Sequence, residues 1–200
     1  THGHFDHAGG SALFQKVFGS RIVMTELDWD LALTEPPLSQ VAMPLPTKDI
    51  VASDGNVIVL GDNKFTLLQT PGHTEGVLSV VFTVNDGDAR HQAIILGGVG
   101  LNFGSVSRPE TYIRSHRRLQ SMQNDISVSL PNHTHIGDLF ARRDKLAIRS
   151  TSTAHPFVDP LAYRAKLKEV LAAAEEKLAL EKAGAAPPDI NYLIEAFIPH

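Results

Sequence analysis

Thr1-His2-Gly3-His4-Phe5-Asp6-His7-Ala8-Gly9-Gly10 opens the chain and decides how the rest is read. From His2 to His7 it offers three imidazoles and one carboxylate. His2 and His4 stand two apart, so an extended or tightly turned backbone points them to the same side. Asp6 and His7 follow at once, and their side chains diverge toward a second point in space. Imidazole and carboxylate are ligands that a borderline ion such as zinc accepts without cysteine. A histidine-rich tag would lack both the Asp at this spacing and the glycines behind it.

The run His2-Gly3-His4-Phe5-Asp6-His7 resembles the His-x-His-x-Asp-His signature of the metallo-β-lactamase superfamily of zinc hydrolases. The resemblance implies an α/β fold, the αββα four-layer sandwich, with the motif on a loop between a strand and a helix. It also implies two zinc ions, with His2 and His4 on the first and Asp6 and His7 on the second. Two later loops are similar to the family's remaining ligand segments. Thr70-Pro71-Gly72-His73-Thr74 resembles its Pro-Gly-His-Thr segment, which makes His73 the third ligand of the first zinc. Leu130-Pro131-Asn132-His133-Thr134-His135 resembles the last ligand segment, and the pair Asn132-His133 selects His133, with His135 as the alternative. His91, His116, His155 and His200 fall in a turn, a polar helix, a loop and a terminus, and none is assigned a metal.

One position departs from the commonest family pattern. Most superfamily hydrolases carry an Asp, and some β-lactamases a Cys, after the strand that here reads Ile94-Ile95-Leu96. This chain has Gly97-Gly98-Val99-Gly100 instead, and those side chains cannot bind metal. The second set is then Asp6, His7 and His133, with no bridging carboxylate. That set resembles the β-lactamase subclass whose second zinc is held by Asp-His-His. The segments Gly97 to Asn102 and His155-Pro156-Phe157-Val158 resemble it as well, and the likeness runs from Thr1 to about Leu178.

The resemblance implies attack of a metal-activated hydroxide on an amide or ester carbonyl, with Asp6 both ligand and orienter. β-Lactam hydrolysis is the expected reaction. A lactonase or another ester or amide hydrolase is the enzymatic alternative, and an inactive truncated relic the other. Glyoxalase-type thioesterases and phosphodiesterases usually need the bridging Asp and lose ground. Asn102, Ser105 and the loop from Pro36 to Pro46 are expected to meet substrate.

Two hundred residues with 42% hydrophobic content can build one core, expected over residues 1–184 with 185–200 as a tail. A net charge of -4 and a pI near 6.2 give no basic face and point away from nucleic acid, while the resemblance implies a small-molecule substrate. No apolar run approaches the ~20 residues that span a bilayer, so no membrane partner is expected. With no cysteine there are no disulfides, and the redox compartment is unreadable. The family feeds its first ligand loop from a buried strand. A start at Thr1 therefore leads us to expect the C-terminal part of a longer protein, with any targeting signal outside this sequence.

Apolar spacing predicts a helix over Ser11 to Phe18, with the stripe Leu13, Phe14, Val17 and Phe18, ending at Gly19. A strand at Ile22 to Met24 is followed by a helix capped by Thr25 and running to about Thr34. Pro36, Pro37, Pro44 and Pro46 then enforce a long loop. Strands are predicted at Val57 to Leu60, Phe65 to Gln69, Val77 to Val84 and Ala93 to Leu96, with a turn at Asn85-Asp86-Gly87. A helix from Pro109 to Met122, a strand from Ile126 to Leu130 and a helix from Asp138 to Ile148 follow. The longest helix spans Leu161 to Ala183, with Tyr163, Leu167, Val170, Leu171, Ala174 and Leu178 on its buried side.

Overall fold

Five strands form the sheet that carries the candidate site: β3 (Val57–Leu60), β4 (Asn63–Gln69), β5 (Leu78–Asp86), β6 (Ala89–Ile95) and β7 (Val128–Leu130). They lie in sequence order and pair antiparallel until β7, which joins β6 in parallel. That parallel step needs a crossover, and α4 (Ser107–Ser121) supplies it. A second, two-stranded parallel sheet pairs β1 (Val23–Met24) with β2 (Ile50–Val51). The computed structural model describes residues 1–34, 44–101, 107–134, 137–150 and 152–184. Most of the expected proline loop, Asn102, Ser105, His135 and the tail 185–200 lie outside the described residues.

The layers follow from which side chains each strand turns outward. Leu68, Val81, Ile94 and Leu96 face Leu119 of α4, Ile126, and Tyr163 and Leu167 of α6 (Pro160–Lys182). Leu67, Leu78 and Val80 face the other way, toward Val23, Ala52 and Ile58. Beyond the small sheet, Trp29 and Ala32 of α3 (Glu26–Thr34) pack on Ala8 of α1 (Phe5–Ala8), Ile22 and Met24. Helix, sheet, sheet and helix stack in that order, which is the expected αββα sandwich. No described helix is long and apolar enough to cross a membrane.

Local chemistry sets the boundaries. Thr25 caps α3, its Oγ1 accepting from the Asp28 amide at 3.3 Å. Asp159 accepts from the Ala162 amide at 2.9 Å, and Pro160 occupies the first turn of α6. The predicted buried side of α6 is in place, with Tyr163, Leu167, Val170, Leu171 and Ala174 buried and Leu178 packed beside them. The helix α5 (Leu139–Ala147) lies within its predicted range.

Three expectations are corrected. The turn between β5 and β6 falls at Gly87-Asp88, because Asp86 pairs with Ala89 and Gly87 takes φ 59°. β6 accordingly starts at Ala89, where polar residues are recruited by pairing with β5 and not by any apolar pattern of their own. The one-turn helix α1 and the strand β2 were not expected. The apolar stripe of α2 (Ser11–Phe18), whose direction its spacing does not set, faces outward, with Leu13, Phe14, Val17 and Phe18 between 52% and 69% exposed.

Candidate metal centre

Strand register brings the ligand-bearing loops to one end of the main sheet. Gln69 pairs with Leu78, Val80 with Ile95, and Ile95 with Leu130. The loops after β4, β6 and β7 therefore leave side by side. The first residues join them through the Leu78 amide, which donates to the Thr1 carbonyl at 2.9 Å.

His2, His4 and His73 form one group, whose ring nitrogens all lie within 4.8 Å of one another. Their rings stand nearly perpendicular in pairs, at 82° to 87°, with centroids 4.6 Å to 4.8 Å apart. His73 Nδ1 donates to the Gly100 carbonyl at 2.9 Å, so its Nε2 keeps a lone pair. That Nε2 lies 3.1 Å from His4 Nδ1. His2 Nε2 is buried and has no hydrogen-bond partner.

Burial holds the His2 ring far below the usual imidazole range, helped by His7, His73 and His4. It lowers His73 to about 4, with His4 adding to the effect. Neutral rings with free lone pairs are what a metal ligates.

Asp6, His7 and His133 form a second group of the same tightness. Nε2 of His7 lies 3.1 Å from Nε2 of His133, and Asp6 Oδ2 lies 3.4 Å and 3.8 Å from these two nitrogens. Burial lowers His7 to about 4, against the opposing pull of Asp6. The two groups adjoin, the His2 and His7 ring centroids being 4.0 Å apart. All six residues singled out in the sequence thus meet at one place.

These donors fit zinc. A tetrahedral ion with nitrogen ligands at 2.0–2.1 Å sets those ligands about 3.3 Å apart, close to both imidazole contacts. The orphaned His2 Nε2 is the second mark of fit, since a buried nitrogen lone pair without a donor calls for a cation.

The glycine run after β6 is tightly packed. A β-carbon at Gly97 would come within 2.2 Å of the Leu78 carbonyl, and one at Gly98 within 2.6 Å of the His73 β-carbon. A side chain at Gly97 or Gly98 would meet the Leu78 backbone or the His73 side chain.

Asp28, in the first turn of α3, is not singled out by the sequence. It is 1% exposed, and its Oδ2 accepts from the Thr74 hydroxyl at 3.1 Å. Burial raises its carboxyl, and the Thr74 bond, the Thr1 amine and His4 oppose the rise. His116, read as a polar-helix residue, is fully buried on α4. No local pattern announces either one.

The chain is an α/β sandwich with two adjoining groups of residues at its loop end that could hold metal. Residues 1–87 match the family model of the metallo-β-lactamase superfamily. An uncharacterized protein of Aquifex aeolicus is 29% identical over 165 residues, 80% of this chain and 74% of that protein. The hydroxyacylglutathione hydrolase of Maricaulis maris is 37% identical over 76 residues, 38% of this chain and 25% of the enzyme. The crystal structure of BJP-1, a subclass B3 metallo-β-lactamase of Bradyrhizobium japonicum, superposes with a TM-score of 0.76. It is 24% identical, and the match covers 92% of this chain and 72% of that one. The first 87 residues thus resemble the metallo-β-lactamase superfamily, and the chain shares the fold of that solved structure.

Proposed function

We propose that the chain hydrolyses a small-molecule amide or ester with two zinc ions, and that a β-lactam is its substrate. The carrying observation is the pair of adjoining three-residue donor sets at one end of the sheet. His2, His4 and His73 would hold the first ion, and Asp6, His7 and His133 the second. Residues 1–184 serve as the one domain that presents them.

Bound zinc supplies Lewis acidity, lowering the pKa of water to about 7 and polarising a carbonyl. The chain's own residues do the rest. Burial keeps His2, His7 and His73 neutral, so their lone pairs are available near pH 7. The Gly100 carbonyl fixes the His73 tautomer and ring plane. Asp6 is the only carboxylate in the two sets. Its Oδ2 would accept a hydrogen bond from the attacking water and so orient it toward the substrate carbon.

Two observations favour a β-lactam over a thioester. The glycines after β6 leave no bridging carboxylate, and the fold matches a subclass B3 β-lactamase. A thioester is the second reading, supported by the hydroxyacylglutathione hydrolase relative.

The test is turnover of a chromogenic cephalosporin beside a glutathione thioester and a simple lactone. The expected result is cephalosporin cleavage that a chelator abolishes and zinc restores. Thioester or lactone turnover without cephalosporin cleavage transfers the assignment to that substrate. No turnover of any of the three favours an inactive relic.

A further inference from the structure

Three segments that carry or adjoin the first donor set converge on one buried carboxylate. Asp28 sits in the first turn of α3, and Thr25 just before it binds both its amide, at 3.3 Å, and the Gly76 carbonyl, at 2.9 Å. Thr74, the neighbour of His73, donates its hydroxyl to Asp28 Oδ2. Gly3, between His2 and His4, lies so close that a β-carbon there would come within 2.4 Å of the Asp28 carbonyl. A β-carbon at Gly76 would come within 2.8 Å of Asp28 Cγ. Both loops are therefore pressed onto the same residue.

The carboxylate is not fully used by these contacts. Oδ1 is buried and has no hydrogen-bond partner. Buried carboxylates without a paired charge are costly, and proteins retain them where a cation or a metal compensates. A cation held by the adjoining His2, His4 and His73 would compensate a negative charge on Asp28.

We propose that Asp28 is a positioning residue of the first metal set. Its Oδ2 fixes the His73 loop through Thr74, and its negative charge strengthens cation binding at the adjoining donor set. This rests on the reading of His2, His4 and His73 as metal ligands.

The test is cobalt titration of the 200-residue chain, followed by the visible spectrum of the ion and by thermal melting. Asp28→Asn keeps an acceptor for Thr74, removes the charge and puts an NH2 in place of the other oxygen. It should weaken cobalt binding by on the order of 10- to 100-fold and shift the cobalt bands. The metal-free Tm should hold or rise, because an unpaired buried charge is gone. A purely structural residue would behave oppositely, with Asn losing Tm and keeping its cobalt affinity. Unchanged affinity and spectrum in Asp28→Asn overturn the proposal while leaving the ligand assignment standing. A wild-type chain that takes up neither cobalt nor zinc overturns the ligand assignment and this proposal together.

If Asp28→Asn does not fold, Thr74→Val removes just the hydroxyl that holds Oδ2. That variant should lose cobalt affinity several-fold with its circular dichroism intact, and unchanged affinity overturns the proposal.

Discussion

Gly98 and His73 are in contact so close that the glycine leaves no space for a side chain. A β-carbon at Gly98 would stand 2.6 Å from the His73 β-carbon and 2.9 Å from its Cδ2, at a backbone φ of 41° that L side chains rarely adopt. Restoring the carboxylate that most relatives carry there would therefore not add a bridging ligand. It would push His73 out of line with His2 and His4. We expect Gly98→Ala and Gly98→Asp to lose stability by on the order of 1–3 kcal/mol from overpacking. Both should also bind less than the wild-type zinc content in metal analysis. A Gly98→Asp variant that gains zinc would show that the loop relaxes and that the Asp-His-His assignment is wrong.

A second prediction separates two neighbours in sequence. His133 Nε2 meets His7 Nε2 at 3.1 Å, whereas His135 lies outside the described residues. His133→Ala should lose close to one zinc equivalent and most turnover. His135→Ala should keep its metal content, and the reverse pattern in paired metal analyses would move the ligand to His135.

The convergence of the six candidate donors was legible in the sequence because they sit in three short segments, each next to an element with a clear local signal. The Phe65 to Gln69 strand and the Val128 to Leu130 strand each run straight into a ligand loop, so reading the strand placed the histidine. Asp28 was not legible, because its importance comes from Thr74 and Gly76, about fifty positions away. The pairing of β1 with β2 was invisible for the same reason, being two residues long and non-local. In α2 the spacing gave the helix correctly but could not say which way its apolar side would point.

That outward stripe carries its own prediction. Leu13, Phe14, Val17 and Phe18 make a run of apolar surface that nothing among the described residues covers, and Phe14 stacks only on Phe18. Surfaces of this kind drive self-association. The double variant Phe14→Gln, Phe18→Lys should scatter less light at high concentration. Exposed substitutions should move stability by no more than about 0.5 kcal/mol. A loss of several degrees in Tm would mean that the stripe is buried in solution.

The last prediction concerns acid. His116 is fully buried on α4, its Nδ1 donating to the Tyr112 carbonyl at 3.0 Å and its Nε2 left without a partner. Burial lowers its pKa to about 4, against about 6.5 for an imidazole in the unfolded chain. Between those two values the unfolded chain binds a proton that the folded chain refuses. Stability from the neutral ring is thus fully present above pH 6.5 and is lost progressively as the pH falls toward 4. His7 and His73 are lowered to about 4 as well and steepen the same slope in metal-free protein. Urea unfolding of chelator-treated protein should therefore give a midpoint that drops between pH 6.5 and pH 4. Burial lowers His2 too, so His116→Leu removes one of four such groups and should flatten that drop, by up to about 3 kcal/mol over the window. It should leave zinc content untouched, since His116 belongs to neither donor set. A variant whose midpoint falls as steeply as the wild type would show that His116 does not carry the acid sensitivity.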